Sequence, residues 1–349
     1  MKNILIIQTA FLGDVILATP LVKAIKKAFP DCFLSFLLIP QTKEVLAHNP
    51  YVDEVIVYDK KREEKGISSF FALVKKIKNK NFDLAFVPHR SLRSALLAYL
   101  SRVSVRIGFD RSSGSFLFTQ KIKYVSNIHE IERNLSLLFE SIHSGKEPNF
   151  DLSEKLPAVF PSKQDFYFAE KLLEDEKIGE KDKIVGIAPG SVWATKRWLP
   201  ERFAEVVDLL MKKENIKVVL FGGKEDDSLC QKIAGLTKKK PIVAAGRTNI
   251  LQSAALISKC ELLLSNDSAP VHLGVAMKRP VIAIFGSTIP EFGFGPYAKN
   301  NVILQKKLYC RPCGIHGKRK CPEKHFRCMK EITTEEVLDA IWSKLTTEI

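Results

Sequence analysis

The stretch Ile6–Pro20 reads "IIQTAFLGDVILATP". An apolar, strand-like run stops at Thr9, small and turn-forming residues follow, and an acid, Asp14, stands where a helical pattern begins. Apolar run, turn and amphipathic helix together make one βα unit, the repeat from which parallel sheets are built. The acid has two readings. Asp is among the best residues for capping a helix start. A carboxylate at the mouth of a βα unit can equally serve as a catalytic base, although the electropositive helix start there would suit a phosphate.

The same unit recurs along the chain. "NILIIQT", "FLSFLLI", "DEVIVY", "DLAFVP" and "VRIGF" read as strands of a first domain, with a helix predicted over Val15–Phe29 from the spacing of Ile16, Val22, Ile25 and Phe29. The segment from about Asn149 to Pro161 is Pro-containing and aperiodic, as a linker would be. A helix over about Ser162–Lys177 follows. Then the pattern starts again with "KIVGIAPG", "IKVVLFGG", "KPIVAAG", "ELLLSND" and "PVIAIFG". Continuous apolar strands separated by helices imply a parallel sheet covered on both faces. With 349 residues at about 150 per domain, two such domains fit. The expected fold class is α/β, two doubly wound domains over 1–160 and 161–349, with the final helix allowed to pack back on the first.

Composition narrows the classes. No apolar run approaches the ~18 residues of a membrane-spanning helix, and the N-terminus lacks a basic leader and a small-residue cleavage site. A cytoplasmic protein is expected. The formal net charge is +15, which implies an anionic partner or a Lys-rich surface. The basic residues are scattered among apolar runs without a nucleic-acid module, so nucleic acid is disfavoured. Neither domain carries G-x-G-x-x-G after its first strand, which weighs against a dinucleotide.

Ligands of open α/β sheets bind beyond the carboxyl ends of the strands. In "GIAPGSVWATKRWLPERFAEV" a strand ends at Pro189-Gly190, and a loop with Ser191, Thr195, Lys196 and Arg197 follows. Hydroxyls and cations of this kind can hold a diphosphate, with Lys196 balancing charge on a leaving group. In "SNDSAPVHLG" a strand meets a helix whose first turn is Ser268-Ala269-Pro270. Asp267 is placed to cap it, and His272 lies about a turn inside. "FGSTIP" ends the next strand with a second small-residue loop.

"FLGDVILATP", "PGS…KRW" and "NDSAPVHL…G…RPVIAIFGSTIP…GPY", in that order across both domains, resemble glycosyltransferase family 9, the ADP-heptose:lipopolysaccharide heptosyltransferases. Within it, "FGSTIPEFGFGPY" followed by the C-terminal cysteines is most similar to heptosyltransferase II. The resemblance implies a GT-B fold, two Rossmann-like domains facing across a cleft, with acceptor mainly on the first and nucleotide-sugar on the second. It implies inverting transfer without a metal or other cofactor. Asp14 matches the catalytic aspartate, Lys196 the phosphate-binding lysine, and Asp267, Ser268, Ala269 and His272 the nucleotide-sugar loop. Some members have Thr-Gly in place of Ser268-Ala269. Glu225, after "FGGK", matches a carboxylate near the ribose.

The implied acceptor is the lipopolysaccharide inner core, rich in Kdo carboxylates and phosphate, which gives the positive charge a target. Arg90 and Arg93 follow the strand "DLAFVP" three apart, as on one helix face. Arg102, Arg106 and Arg111 come next. Guanidinium forks suit carboxylate and phosphate. Expected partners are ADP-heptose, this acceptor on lipid A and the inner-membrane surface, with the protein a monomer.

Seven cysteines remain. Cys32, Cys230 and Cys260 read as buried thiols. Cys310, Cys313, Cys321 and Cys328, spaced C-x2-C-x7-C-x6-C with His316 and His325 between, admit either zinc or packed thiols. The second pair's spacing does not suit a zinc ribbon, and packed thiols are the expectation. Rival functions are an earlier or later core heptosyltransferase, a nucleotide-binding oxidoreductase on two Rossmann domains, and a two-domain sugar-binding protein.

Overall fold

Pro20 shapes the first βα unit. Proline has no N–H to give a helix and its ring meets the carbonyl four residues back. In the computed structural model, which describes residues 2–59, 66–141 and 151–345, the helix predicted over Val15–Phe29 is therefore two helices, Leu12–Leu17 and Thr19–Ala28. Pro20 sits in the first turn of the second, where a missing N–H is harmless. Thr19 closes the break by donating its hydroxyl to Ile16 O at 2.7 Å.

The chain forms two units, 1–160 and 161–349. The first holds β1 (Asn3–Ile7), β2 (Phe33–Leu38), β3 (Glu54–Val57), β4 (Leu84–Val87), β5 (Val105–Phe109) and β6 (Gln120–Ile122), ordered β3-β2-β1-β4-β5-β6 and parallel throughout. The second holds β7 (Lys183–Ala188), β8 (Ile216–Leu220), β9 (Ile242–Val243), β10 (Leu262–Asn266), β11 (Val281–Phe285) and β12 (Val302–Gln305), ordered β12-β11-β10-β7-β8-β9. It too is parallel, and its order is the first sheet's repeated. This is the doubly wound Rossmann arrangement, twice.

The short edge strand β6 carries Gln120 and Lys121 in place of an apolar run, which leaves it illegible as a strand, and β12 offers only Val302, Ile303 and Leu304 before Gln305. The central strands are buried along nearly their whole length. Asn149 and Phe150, the first residues of the expected linker, lie outside the described residues. The helix after it runs Lys163–Asp175, capped by Ser162 and Asp165, which exchange hydrogen bonds. The last helix, Thr334–Leu345, gives Val337, Ile341 and Leu345 to the core of the second unit, although the sequence allowed it a place on the first domain.

In each sheet the strand order reverses at one point, between β1 and β4 and between β7 and β10. Loops leaving neighbouring strands diverge there and open a crevice. Asp14 and Arg90 follow β1 and β4; Ser191 and Lys196 follow β7, and Asp267 follows β10. The fold thus places these candidate residues at each unit's own switch point, whereas Arg111 follows β5 and Glu225 follows β8.

Candidate active site

Trp198 anchors the second unit's site. Its indole, 1% exposed, donates to Ile332 O at 3.1 Å and meets Phe203 edge-on at 5.0 Å between centroids. An indole of that size, buried with its N–H satisfied, fixes the chain on either side of it. Asn266, wholly buried at the end of β10, holds both ends of the preceding loop. Its amide donates to Pro189 O at 2.7 Å and accepts from Trp198 N at 3.0 Å. The loop between carries Ser191 and Lys196. Ser191 O accepts from Arg197 Nε at 2.7 Å, and its hydroxyl accepts from Trp193 N at 3.4 Å.

Lys196 Nζ lies 2.6 Å from Asp267 Oδ2, and both side chains are largely buried. Thr288, from the "FGST" loop, donates to the same oxygen at 2.5 Å. Asp267 therefore does not cap the next helix, contrary to the sequence expectation. The cap position belongs to Ser268, whose hydroxyl lies 3.2 Å from Gly190 O and 3.3 Å from Asn266 O and makes no capping bond. A carboxylate beside a buried ammonium gains more from the ion pair than from a helix N–H. Ala269 and Pro270 open the helix Ala269–Ala276, and His272 is buried within it. Lysine, helix start and two hydroxyl loops thus surround one point at the β7–β10 switch.

Glu225 stands exposed in the turn after β8, curled over Gly223, whose added Cβ would lie 3.0 Å from Glu225 Oε2. Its neighbour Asp226 was missed by sequence reasoning. A Cβ on Gly190 would meet Asp226 Oδ1 at 2.3 Å, so the carboxylate is packed against the backbone of the Ser191 loop, and it accepts from Gly223 N at 3.2 Å. Burial pushes the Asp226 carboxyl up, and neighbouring Glu225 adds to the rise. Perturbed carboxylates collect at functional sites. "PGS" and "GGKED", read together, held the signal: glycines where another loop's acid must fit.

In the first unit, Asp14 is the third residue of Leu12–Leu17, and its Oδ2 accepts from Phe11 N at 3.1 Å. The capping role expected of this acid is thus present in the structure. His89, beyond β4, was also missed. Its Nδ1 lies 3.0 Å from Thr9 Oγ1 and 3.1 Å from Ser94 Oγ, tying the loop before Asp14 to the loop after β4. Arg90 precedes the helix Leu92–Leu100, which Ser91 caps, so Arg90 and Arg93 do not share a helix face. Arg90 stacks on Tyr124 at 4.2 Å, and Arg93 donates to Tyr58 Oη at 3.1 Å. Arg111 is exposed after β5. Arg106 donates to Leu117 O and Val103 O, which occupies its guanidinium with the fold's own backbone.

The four C-terminal cysteines are free, and among the described residues no group of three or more His, Cys, Asp or Glu is arranged to hold a metal. Cys328 is buried and its thiol is pushed up to about 11 by desolvation.

The model of glycosyltransferase family 9 (heptosyltransferase) matches residues 70–326. The chain belongs to that family. It is a glycosyltransferase with the two Rossmann-like units of the GT-B fold. Lys196, Asp267, Ser268 and His272 lie within the matched residues, and Asp14 precedes them. The chain is 26% identical over 300 residues to lipooligosaccharide heptosyltransferase 2 of Haemophilus influenzae, covering 83% of this chain and 85% of the relative. It is 29% identical over 291 residues to the lipopolysaccharide core heptosyltransferase OpsX of the same organism, covering 81% and 79%. The crystal structure of a family 9 glycosyl transferase from Veillonella parvula superposes with a TM-score of 0.85 at 25% identity, covering 99% of this chain and 97% of that one.

Proposed function

We propose that this family 9 enzyme transfers L-glycero-D-manno-heptose from ADP-heptose to the lipopolysaccharide inner core, as heptosyltransferase II acting on heptosyl-Kdo2-lipid A. One observation carries the reading: Lys196, the Ser268 helix start and the Ser287–Thr288 loop meet at the β7–β10 switch point. An ammonium, helix N–H groups and hydroxyls are what a departing diphosphate needs.

Asp14 takes the proton of the acceptor hydroxyl as its oxygen attacks C1 of the heptose. The bond from C1 to the ADP oxygen breaks on the opposite face, which inverts the configuration there. Charge developing on ADP is taken up by Lys196, with Ser191 and the helix start donating hydrogen bonds, so the chemistry needs no divalent cation. Glu225 reaches for the ribose hydroxyls and His272 supports the nucleotide-sugar loop. Arg90, Arg93 and Arg111 hold the carboxylates and phosphate of the acceptor.

The relatives carry more than one heptosyltransferase name, so the competing step is an earlier or later addition of heptose to the core. We place the enzyme as a monomer on the cytoplasmic face of the inner membrane. Its net charge of +15 supports contact with anionic headgroups, and no helix of the described residues is long and apolar enough to cross a membrane. The test is transfer from ADP-heptose to Kdo2-lipid A and to heptosyl-Kdo2-lipid A, with the product's anomeric configuration read by NMR. Transfer only to the acceptor already bearing heptose supports the assignment; preference for Kdo2-lipid A overturns it.

A further inference from the structure

The cysteine-bearing segment after β12 plays no part in the chemistry above, yet it packs on the Lys196 stem and is fastened to the Ser287–Thr288 loop that holds Asp267. At the lysine end, Thr195 N donates to Lys318 O at 3.1 Å and Lys318 N donates to Thr195 Oγ1 at 2.7 Å. Thr195 Oγ1 also lies 3.0 Å from Ser287 Oγ, and both hydroxyls are buried. Gly317, at φ +85°, lies flat against the lysine stem: an added Cβ would stand 3.0 Å from Lys196 Cγ and 3.1 Å from Lys196 Cδ. Only glycine gives both that backbone conformation and that closeness without strain. At the aspartate end, Arg311 Nη2 donates to Thr288 O at 2.6 Å, and Cys313 N donates to Ser287 O at 2.8 Å. Thr288 is the residue that holds Asp267.

We propose that residues 311–318 are a strap that sets the reach of the Lys196 ammonium toward the nucleotide diphosphate, with Gly317 and Thr195 as positioning residues. This rests on the reading of Lys196 as a diphosphate ligand. A four-carbon lysine stem has many rotamers, and fixing one before the ligand arrives removes an entropic cost from binding. The strap does so from two sides. Gly317 walls off the stem, and Arg311 and Cys313 fasten the loop whose Thr288 orients Asp267. Thr195 is the joint, since its buried hydroxyl meets the strap and the Ser287 loop at once. The class of ligand affected is a nucleoside diphosphate or its sugar ester, and the acceptor site is untouched.

The test is ADP affinity by calorimetry on the full chain, with KM for ADP-heptose and for the acceptor. Gly317→Ala and Thr195→Val should each weaken ADP roughly tenfold, the scale expected when a buried polar partner is lost or a neighbour displaced. The ADP-heptose KM should rise and the acceptor KM stay put. Thr195→Ser, which keeps the hydroxyl, should restore binding to within about twofold. The deciding measurement is a double-mutant cycle, because in a Lys196→Ala background Gly317→Ala should cost ADP affinity nothing further. Equal losses in both backgrounds mean that the strap acts independently of Lys196 and overturn the proposal. So does unchanged ADP affinity in Gly317→Ala when Lys196→Ala binds weakly. ADP binding at full strength in Lys196→Ala itself sinks the diphosphate reading, and the strap falls with it. Should Thr195→Val melt early, the cycle with Gly317, which lies outside the core, decides alone.

Discussion

Lys196 Nζ and Asp267 Oδ2 stand 2.6 Å apart on neighbouring strands' loops, and Thr288 donates to the same oxygen. The lysine proposed to meet an incoming phosphate thus already neutralises a carboxylate. On the proposed reading, a ligand's negative charge would share the ammonium with Asp267, which Thr288 holds in place. Removing one member of a buried pair leaves the other's charge uncompensated. Lys196→Met should therefore destabilise the second unit by up to about 3 kcal/mol, read from denaturant unfolding. Adding Asp267→Asn should recover much of that stability and none of the ADP affinity. Recovery of ADP binding in the double variant would mean that Lys196 serves only as Asp267's partner.

Asp14 caps its helix and is proposed as the base, and Asn separates the two roles. The Asn amide oxygen still accepts from Phe11 N, so the melting temperature of Asp14→Asn should stay near that of the parent. Turnover should fall by roughly 10²–10⁴, the usual worth of a general base. Loss of stability with turnover nearly intact would return Asp14 to capping alone.

If Lys196 and the Ser268 helix start take the leaving group's charge, as proposed, transfer should persist in EDTA. Inactivation by chelator, reversed by magnesium or manganese, would refute that assignment of roles.

Arg90 and Arg93 leave the chain on different elements and rest on Tyr124 and Tyr58, so each is preset by an aromatic neighbour. Replacing both by Ala should raise the acceptor KM far more than the ADP-heptose KM. The parent's acceptor KM should climb with salt, because exposed charges are screened over about 10 Å at 0.1 M. An equal rise in both KM values would assign these arginines to the fold.

Asp226 gives a pH signature. Burial raises its folded-state pKa above the unfolded value, so the folded protein holds this proton more tightly. Stability from this group is present below the ordinary carboxyl range, about pH 4, and is lost as pH rises through the raised folded value. Asp226→Asn keeps an acceptor for Gly223 N and removes the titration. Its melting temperature should exceed the parent's above that window and approach it below. A constant difference across pH 3–7 would locate the effect elsewhere.

Native-state alkylation should divide the seven thiols. Cys230 and Cys260 are buried, with pKa values raised to about 12, and so hold almost no thiolate at pH 8. Cys310 and Cys321 are half-buried and should react first, with Cys313, whose thiol desolvation pushes up, behind them. Mass spectrometry after brief iodoacetamide treatment reads the order directly, and early labelling of Cys260 would contradict the packing of the second sheet.

The repeated βα pattern, the restart after the linker and the glycine- and acid-ended strands were enough, from sequence alone, to predict two doubly wound sheets and to put Asp14, Lys196 and Asp267 at strand ends. Those features are local: a run of apolar residues and a turn are decided within about ten positions of the chain. What tertiary structure decided was partnership across loops. Asp267 gave up the helix cap for Lys196, 71 positions away by residue number. Asp226, not Glu225, packed under Gly190. Arg90 left the helix that its spacing from Arg93 had implied, because Ser91 caps one residue later. The edge strand β6, with no apolar run of its own, took its form from its pairing with β5. Each outcome is a competition for one donor or acceptor among groups far apart in sequence, and burial decides it, since low-dielectric surroundings favour the charge-paired arrangement over the nearest local one.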